Sequence, residues 1–313
     1  MLFSIIIPTY NRADFLLPAL QSVQTQTYKD FEVVVVDDGS TDKTKELIAN
    51  LAKGDNRIKY IYQQNAERGA ARNNGFKNAS GDFVVFFDSD DEMDKNYLKL
   101  LYNQIHQNQS SNFYAAKYNY IDGEKIIKGP LHAYKQGLND INVVLTGNPF
   151  CCNVCVKRSN PALRLFNEDR KLATMEDWMF LVENLQHDKI FIIDAIGLNM
   201  SQHDNRSMQQ NQFLIERRLL ACETLLDKLS LSIKQQKTMK AYSFYFCGIH
   251  AYLDLNRPQA MQFIKKAIAI AGPNKLFALT YLKFLMGRKL IERVQSLKRI
   301  TAINPGRINQ IDK

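Results

Sequence analysis

Three short polar segments in the first hundred residues carry groups that could do chemistry together: Pro8-Thr9-Tyr10-Asn11-Arg12, Asp37-Asp38-Gly39-Ser40 and Asp88-Ser89-Asp90-Asp91. Each follows an apolar run, the last of them Val84-Val85-Phe86-Phe87. Carboxylates as close as Asp88 and Asp90 repel unless something cationic lies between them. Their hard oxygens suit Mg²⁺ or Mn²⁺, which take one or two protein carboxylates and complete the shell from phosphate and water. Neither Gly-x-Gly-x-x-Gly nor Gly-x-x-x-x-Gly-Lys-Ser/Thr occurs on these segments, so a Rossmann dinucleotide site or a P-loop is not expected. The plainer alternative is that Asp, Asn, Gly and Ser here only build turns.

For the three segments to meet, their strands must lie side by side in one sheet. The apolar spacing predicts strands over 3–8, 31–37, 58–62 and 82–88, alternating with helices over 12–26, 41–52 and 69–79, the second helix capped by Ser40 or Thr41. Repeated β–α–β units make a parallel sheet covered by helices, and ligands gather beyond the carboxyl ends of its strands. From 94 to about 204 the pattern loosens, with helices over 95–107 and 175–185 and strands over 114–121, 151–157 and 189–194. Beyond Ser207 only helices are predicted, over 213–229, 233–255, 258–271 and 275–300. The expected fold class is α/β, a mixed, mostly parallel sheet flanked by helices over 1–207, followed by an all-helical domain over 208–313.

Composition excludes several classes. Of 313 residues, 45% are hydrophobic and 23% charged, which rules out a disordered or collagen-like chain. Five cysteines make no disulfide framework, and a reduced intracellular compartment is expected. Cys151-Cys152-Asn153-Val154-Cys155 lacks a second Cys/His pair at zinc spacing and reads as small buried side chains. The start, Met1-Leu2-Phe3-Ser4, has no basic segment of a leader, and no uncharged stretch reaches the roughly 20 residues of a spanning helix. The net charge of +9 is unevenly placed: 257–313 holds 12 Lys plus Arg against two acids, whereas 1–256 holds 29 against 30. A segment so basic suits attachment to an anionic surface.

The order and spacing of Pro8-Thr9-Tyr10-Asn11-Arg12, Asp37-Asp38-Gly39-Ser40-Thr41-Asp42, Gly69-Ala70-Ala71-Arg72-Asn73-Asn74-Gly75 and Asp88-Ser89-Asp90-Asp91 resemble family 2 glycosyltransferases. Met175-Glu176-Asp177-Trp178 sits where that family places its Glu-Asp pair, and the resemblance covers about residues 3 to 207. It implies a GT-A fold, with a nucleotide-binding half over 1–94 and an acceptor half over 95–207, and sugar transfer from a nucleoside diphosphate donor with inversion. By the same resemblance Pro8, Thr9, Tyr10, Arg12, Asp37, Asp38, Asp88 and Ser89 would bind the donor. Asp90 and Asp88 would hold Mn²⁺ or Mg²⁺, joined by His203. Asp177 would be the general base, with Glu176 and Trp178 toward the acceptor.

Several of these residues have a second reading. Arg68 and Arg72 lie four apart and share a helix face. Arg72 would contact phosphate, or else pair with Asp38 or Asp88; Arg68 would join it, or pair with Glu67 at the surface. Glu176 and Asp177 also suit a helix start through the dipole alone. Trp178 would stack on a sugar or belong to the core. His203 would be a ligand or structural, and Arg206 would reach phosphate. The basic, leucine-rich end would lie on a membrane or pack as a bundle helix. It has too few aromatics for a nucleic-acid surface.

The sequence thus predicts a cytoplasmic inverting glycosyltransferase, peripheral on the inner face of the membrane if its tail binds there. Its partners would be a UDP-sugar and a saccharide or lipid-linked saccharide of the cell envelope. The rivals are a sugar-1-phosphate nucleotidyltransferase, which would want a Gly-rich basic loop after the first strand, and a non-catalytic sugar-nucleotide-binding protein docked on a membrane.

Overall fold

The computed structural model describes residues 1–201, 211–272 and 274–286. The first apolar runs become β1 Phe3–Thr9, β2 Phe31–Asp37, β3 Ile58–Tyr62 and β4 Phe83–Phe86, with α1 Ala13–Gln24, α2 Thr44–Gly54 and α3 Glu67–Asn78 between them. Every residue of β1, β2 and β4 is buried, as in strands covered on both faces. Parallel pairing of β1 with β2 and β4, and of β2 with β3, gives the order β3-β2-β1-β4.

The sheet continues through shorter or less regular pieces: β5 Asp91–Met93, β6 Phe113–Asp122, β7 Lys125–Lys128, β8 Gly137–Asn139, β9 Cys155–Lys157 and β10 Ile190–Ser201, with α4 Tyr97–Gln107 and α5 Glu176–Leu185. β9 runs antiparallel between β4 and β6, and β10 lies parallel to β6, completing the order β3-β2-β1-β4-β9-β6-β10-β5. This is the expected mixed α/β sheet flanked by helices.

The differences from expectation are local. β10 continues past Asp194 to Ser201 because its register with β6 shifts between Ile193 and Leu198, so a bulge absorbs the polar break that reads as a strand end. β9 keeps only the last three residues of the predicted 151–157, since Cys151 sits at φ 53° and turns the chain first. α2 starts at Thr44, not Thr41, with the Asp42 carboxylate accepting from Thr44 N at 3.0 Å. Ser40 and Thr41 are instead engaged by Asn11.

Glycine at 75 lets α3 lie close on the sheet: a Cβ there would clash with Ile6 Cγ2 and stand 3.2 Å from Val36 Cγ2. The Gly75 backbone thereby sets how deeply the Arg72 side chain sinks.

The chain divides into two compact units, Met1–Val144 with Asn148–Arg206, and Leu145–Gly147 with Ser207–Lys313. In the second, α6 Asn211–Lys228, α7 Ile233–Leu253, α8 Arg257–Ala271 and α9 Lys275–Met286 pack around Ala251, Phe263, Ile264, Ala267, Phe277 and Phe284. α7 opens with a capping box between Ser232 and Gln235. The predicted helix over 275–300 is described as far as Met286, and the strongly basic stretch after it lies outside the described residues. Among the described residues no helix is long and apolar enough to cross a membrane.

Candidate active site

Because β1, β2 and β4 run parallel, their carboxyl ends emerge along one edge. The first two loops are clipped together there. Asp38 N donates to Thr9 O at 2.8 Å, Asn11 N to Ser40 Oγ at 2.9 Å, and Thr41 N to Asn11 Oδ1 at 2.8 Å. Gly39 makes the turn at φ +86°, and a Cβ on it would stand 2.9 Å from Asn65 N.

The two acids of this loop are structural anchors. Asp37 accepts from Ser40 N and from the Tyr60 hydroxyl, both at 2.8 Å. Asp38 accepts from Gln63 Nε2 at 2.7 Å, Ala66 N at 2.8 Å and Asn65 Nδ2 at 3.1 Å, which draws the loop before α3 onto the same rim. Both carboxylates are nearly buried, and so are Pro8 and Thr9, whereas the Tyr10 ring stands 48% exposed at the end of β1. Arg12 Nη1 lies 3.4 Å from Asp90 Oδ2, linking the β1 loop to the loop after β4.

A second set of charges joins that β4 loop to the start of α5. Arg72, on α3 and only 1% exposed, places Nη2 2.8 Å from Asp88 Oδ1 and Nη1 3.1 Å from Glu176 Oε1. Arg68 Nε adds a contact to Glu176 Oε1 at 3.3 Å. Charges this deep persist only when paired and hydrogen-bonded. Burial alone would raise the Glu176 carboxyl, but Arg68 and Arg72 outweigh it and hold the group below the ordinary glutamate range.

Asp177, the next residue, is shifted the other way. Burial first, and the negative charge of Glu176 second, push its carboxyl up to about 6 against the pull of Arg72 and Arg68. Its side chain is half-buried, so it is desolvated on most sides while still reaching solvent. Oδ1 accepts from Trp178 N at 2.7 Å and Oδ2 from Asn148 Nδ2 at 3.0 Å. A held carboxylate that titrates near neutrality is suited to taking up a proton.

Four segments around these residues contain a non-glycine residue at positive φ: Asn11 at 50°, Glu67, the first residue of α3, at 73°, Cys151 at 53° and Thr174 at 74°. For a β-branched residue such as Thr174, two positions before Glu176, this conformation is costly, and strain of this kind concentrates at functional sites.

Asp88, Glu176, Asp177, Arg68 and Arg72 therefore form one cluster, with the Arg12–Asp90 pair and the exposed Tyr10 on the adjoining loops; Ser89, next to Asp88, is buried. Three expectations are corrected. Trp178 is 2% exposed and its Nε1 donates to Val144 O at 2.8 Å, so it belongs to the core and offers no face to an acceptor. Arg72 is buried against the Phe166 ring and takes the pairing alternative to phosphate: its partners are Asp88 and Glu176, and Asp38 is not among them. Glu176 is 3% exposed and points at arginines, not toward an acceptor. His203 and Arg206 lie outside the described residues.

Asn148 escapes sequence reasoning. It sits in an irregular loop 29 positions before Asp177, in no motif, and only folding brings the two together. All five cysteines are free, and among the described residues no three His, Cys, Asp or Glu side chains gather as a metal cage. Asp88 and Asp90 still fit Mg²⁺ or Mn²⁺. They are half-buried hard-oxygen donors two residues apart, and such ions complete their shells from phosphate and water.

Residues 4–164, more than half of the chain, match the sequence profile of glycosyl transferase family 2. The chain belongs to this family. As a family 2 glycosyltransferase it is similar to glycosyltransferase GlyA of Streptococcus pneumoniae, 46% identical over 107 residues, which are 34% of this chain and 15% of GlyA. It is also similar to the GalNAc(5)-diNAcBac-PP-undecaprenol β-1,3-glucosyltransferase of Campylobacter jejuni, 49% identical over 92 residues, 29% of this chain and 30% of that enzyme. The match thus spans under a third of either curated relative. The fold of this glycosyltransferase resembles S. aureus TarS solved with UDP-GlcNAc, with a TM-score of 0.67 at 22% identity over 87% of this chain and 82% of that one. It also resembles the Pyrobaculum calidifontis mannosyltransferase solved with GDP-Man and Mn²⁺, with a TM-score of 0.57 at 17% identity over 88% and 77%.

Proposed function

We propose that this glycosyltransferase moves a sugar from a nucleoside diphosphate donor, a UDP-sugar, to a hydroxyl of a saccharide or lipid-linked saccharide, with inversion at the anomeric carbon. The observation that carries the reading is the Arg72 guanidinium, which grips Asp88 with one nitrogen and Glu176 with another. Residues suited to the leaving diphosphate and to the attacking hydroxyl thereby share one site. The UDP-GlcNAc complex of TarS and the undecaprenol-linked substrate in the name of the C. jejuni enzyme support the choice of donor and acceptor classes. A lipid-linked acceptor would place the protein at the cytoplasmic face of a membrane.

In this mechanism the exposed Tyr10 ring offers a surface for the base, and the anchored Asp37–Asp38 loop shapes the rim around the ribose. Asp88 and Asp90 would hold Mn²⁺ or Mg²⁺. When bound, that ion supplies positive charge to the diphosphate as its bond to the sugar breaks. Arg68, 40% exposed in its side chain, adds positive charge at the same mouth. On the opposite side Asp177, ionised above about pH 6, takes the proton of the acceptor hydroxyl while that oxygen bonds to the anomeric carbon. Burial, and then the charge of Glu176, keep Asp177 basic, and Asn148 and Trp178 N fix its direction.

Asp177→Asn tests the assignment. Titration should give nearly unchanged UDP affinity, while transfer falls by about 10²- to 10⁴-fold. Transfer at the wild-type rate would remove Asp177 from the role of base. UDP binding by the wild type with no turnover of any donor would favour the non-catalytic reading.

A further inference from the structure

α9 is apolar on both sides. Phe277, Thr280 and Phe284 point inward and are buried, while Leu276, Leu279, Leu282, Leu285 and Met286 are 41–52% exposed. At about 100° per residue Leu279, Leu282 and Met286 fall on the side opposite the buried trio, and Leu276 and Leu285 flank it. A helix that is hydrophobic all round is normally covered, and a contiguous exposed apolar face marks an interaction surface.

Charge decides what covers it. α9 carries Lys275 and Lys283 and no acid, and the chain continues with Arg288, Lys289, Arg293, Lys298 and Arg299 against Glu292 alone. A second copy of the chain would bring lysine to lysine across such a face. A partner that is anionic at its surface and apolar beneath satisfies both features, and that is a lipid leaflet. We propose that the outward face of α9 docks on an anionic membrane surface, lying in its plane, with leucines in the acyl boundary and lysines at the headgroups. This rests on α9 and on the basic sequence that follows it, and does not depend on the role of Asp177.

Sedimentation of the full chain with phosphatidylglycerol-containing vesicles, beside pure phosphatidylcholine, tests it. The wild type should sediment with the anionic vesicles and not with the neutral ones. Leu279→Ser with Leu282→Ser should weaken that binding about tenfold or more. Lys275→Gln with Lys283→Gln, which removes no apolar surface, should weaken it several-fold. Donor hydrolysis in solution should be the same in all three proteins. Absence of wild-type binding, or full binding by either double variant, would overturn the proposal. So would light scattering that finds, without vesicles, a dimer that the leucine changes dissociate.

Discussion

Asn148 donates from Nδ2 to Oδ2 of Asp177 at 3.0 Å, and three other bonds hold the pair in place. The same amide group donates to Cys151 O at 2.8 Å, its Oδ1 accepts from Phe150 N at 3.0 Å, and the second Asp177 oxygen accepts from Trp178 N. Neither side chain can turn without losing a bond. Asp177 is faced by Glu176, by Arg68 and Arg72 from α3, and by the thiols of Cys151 and Cys152, whose burial raises them and keeps them neutral.

This pair gives a pH dependence with a definite sign. Under the proposed function Asp177 is the base and must be ionised to work, so transfer should be low below pH 5, rise through about 6 and level off above it. Asn148→Ala removes a bond to the charged form, which raises the carboxyl further. The acid limb of the kcat profile should then move up by about one unit. A limb that stays in place would show that Asn148 does not tune Asp177.

Arg72→Met leaves Asp88 and Glu176 without their shared cation. Stability should fall by about 3–5 kcal/mol, toward the lower figure because Arg68 still reaches Glu176. Arg72→Lys restores the charge without the fork and should recover only part of the loss. Urea unfolding of the three proteins measures this; equal midpoints would contradict it.

Asp90 is paired with Arg12, and under the proposed function it also helps hold a cation on the donor phosphates. UDP titrated with Mn²⁺ should bind about tenfold or more tightly than with a chelator, and Asp90→Ala should abolish that difference. Metal-independent UDP binding by the wild type would remove the ion from the site.

Gly75→Ala would set a methyl against Ile6 Cγ2 and close to Val36 Cγ2. α3 must then lift from the sheet, at about 1–3 kcal/mol, and carry Arg72 away from its partners. Thermal melting checks the stability, and the transfer rate should fall with it.

The first four strands were legible because strands buried on both faces read as unbroken apolar runs, and the acids stood out by following those runs directly. β5, β7 and β8 were not, since each is three or four residues long and has no apolar run of its own. Trp178 illustrates a signal that was present but overridden. It lies in α5 with Met179, Phe180, Leu181 and Val182, all buried, so the helix is apolar on every side and its tryptophan belongs inside. Arg72 showed its helix face but not its depth, which depends on how closely Gly75 lets α3 approach. Asn148 left no trace, because its meaning comes from where a loop comes to rest.

The Arg72 fork ties Asp88 and Glu176, on separate elements, to a single side chain, and under the proposed function these are the two sides of the reaction. A substitution that shifts one carboxylate must disturb the other, so neither half of this centre can be altered independently. Diversification toward new sugars and acceptors would have to occur at the periphery, in loops such as the one carrying Tyr10, while the inner charges change together or not at all.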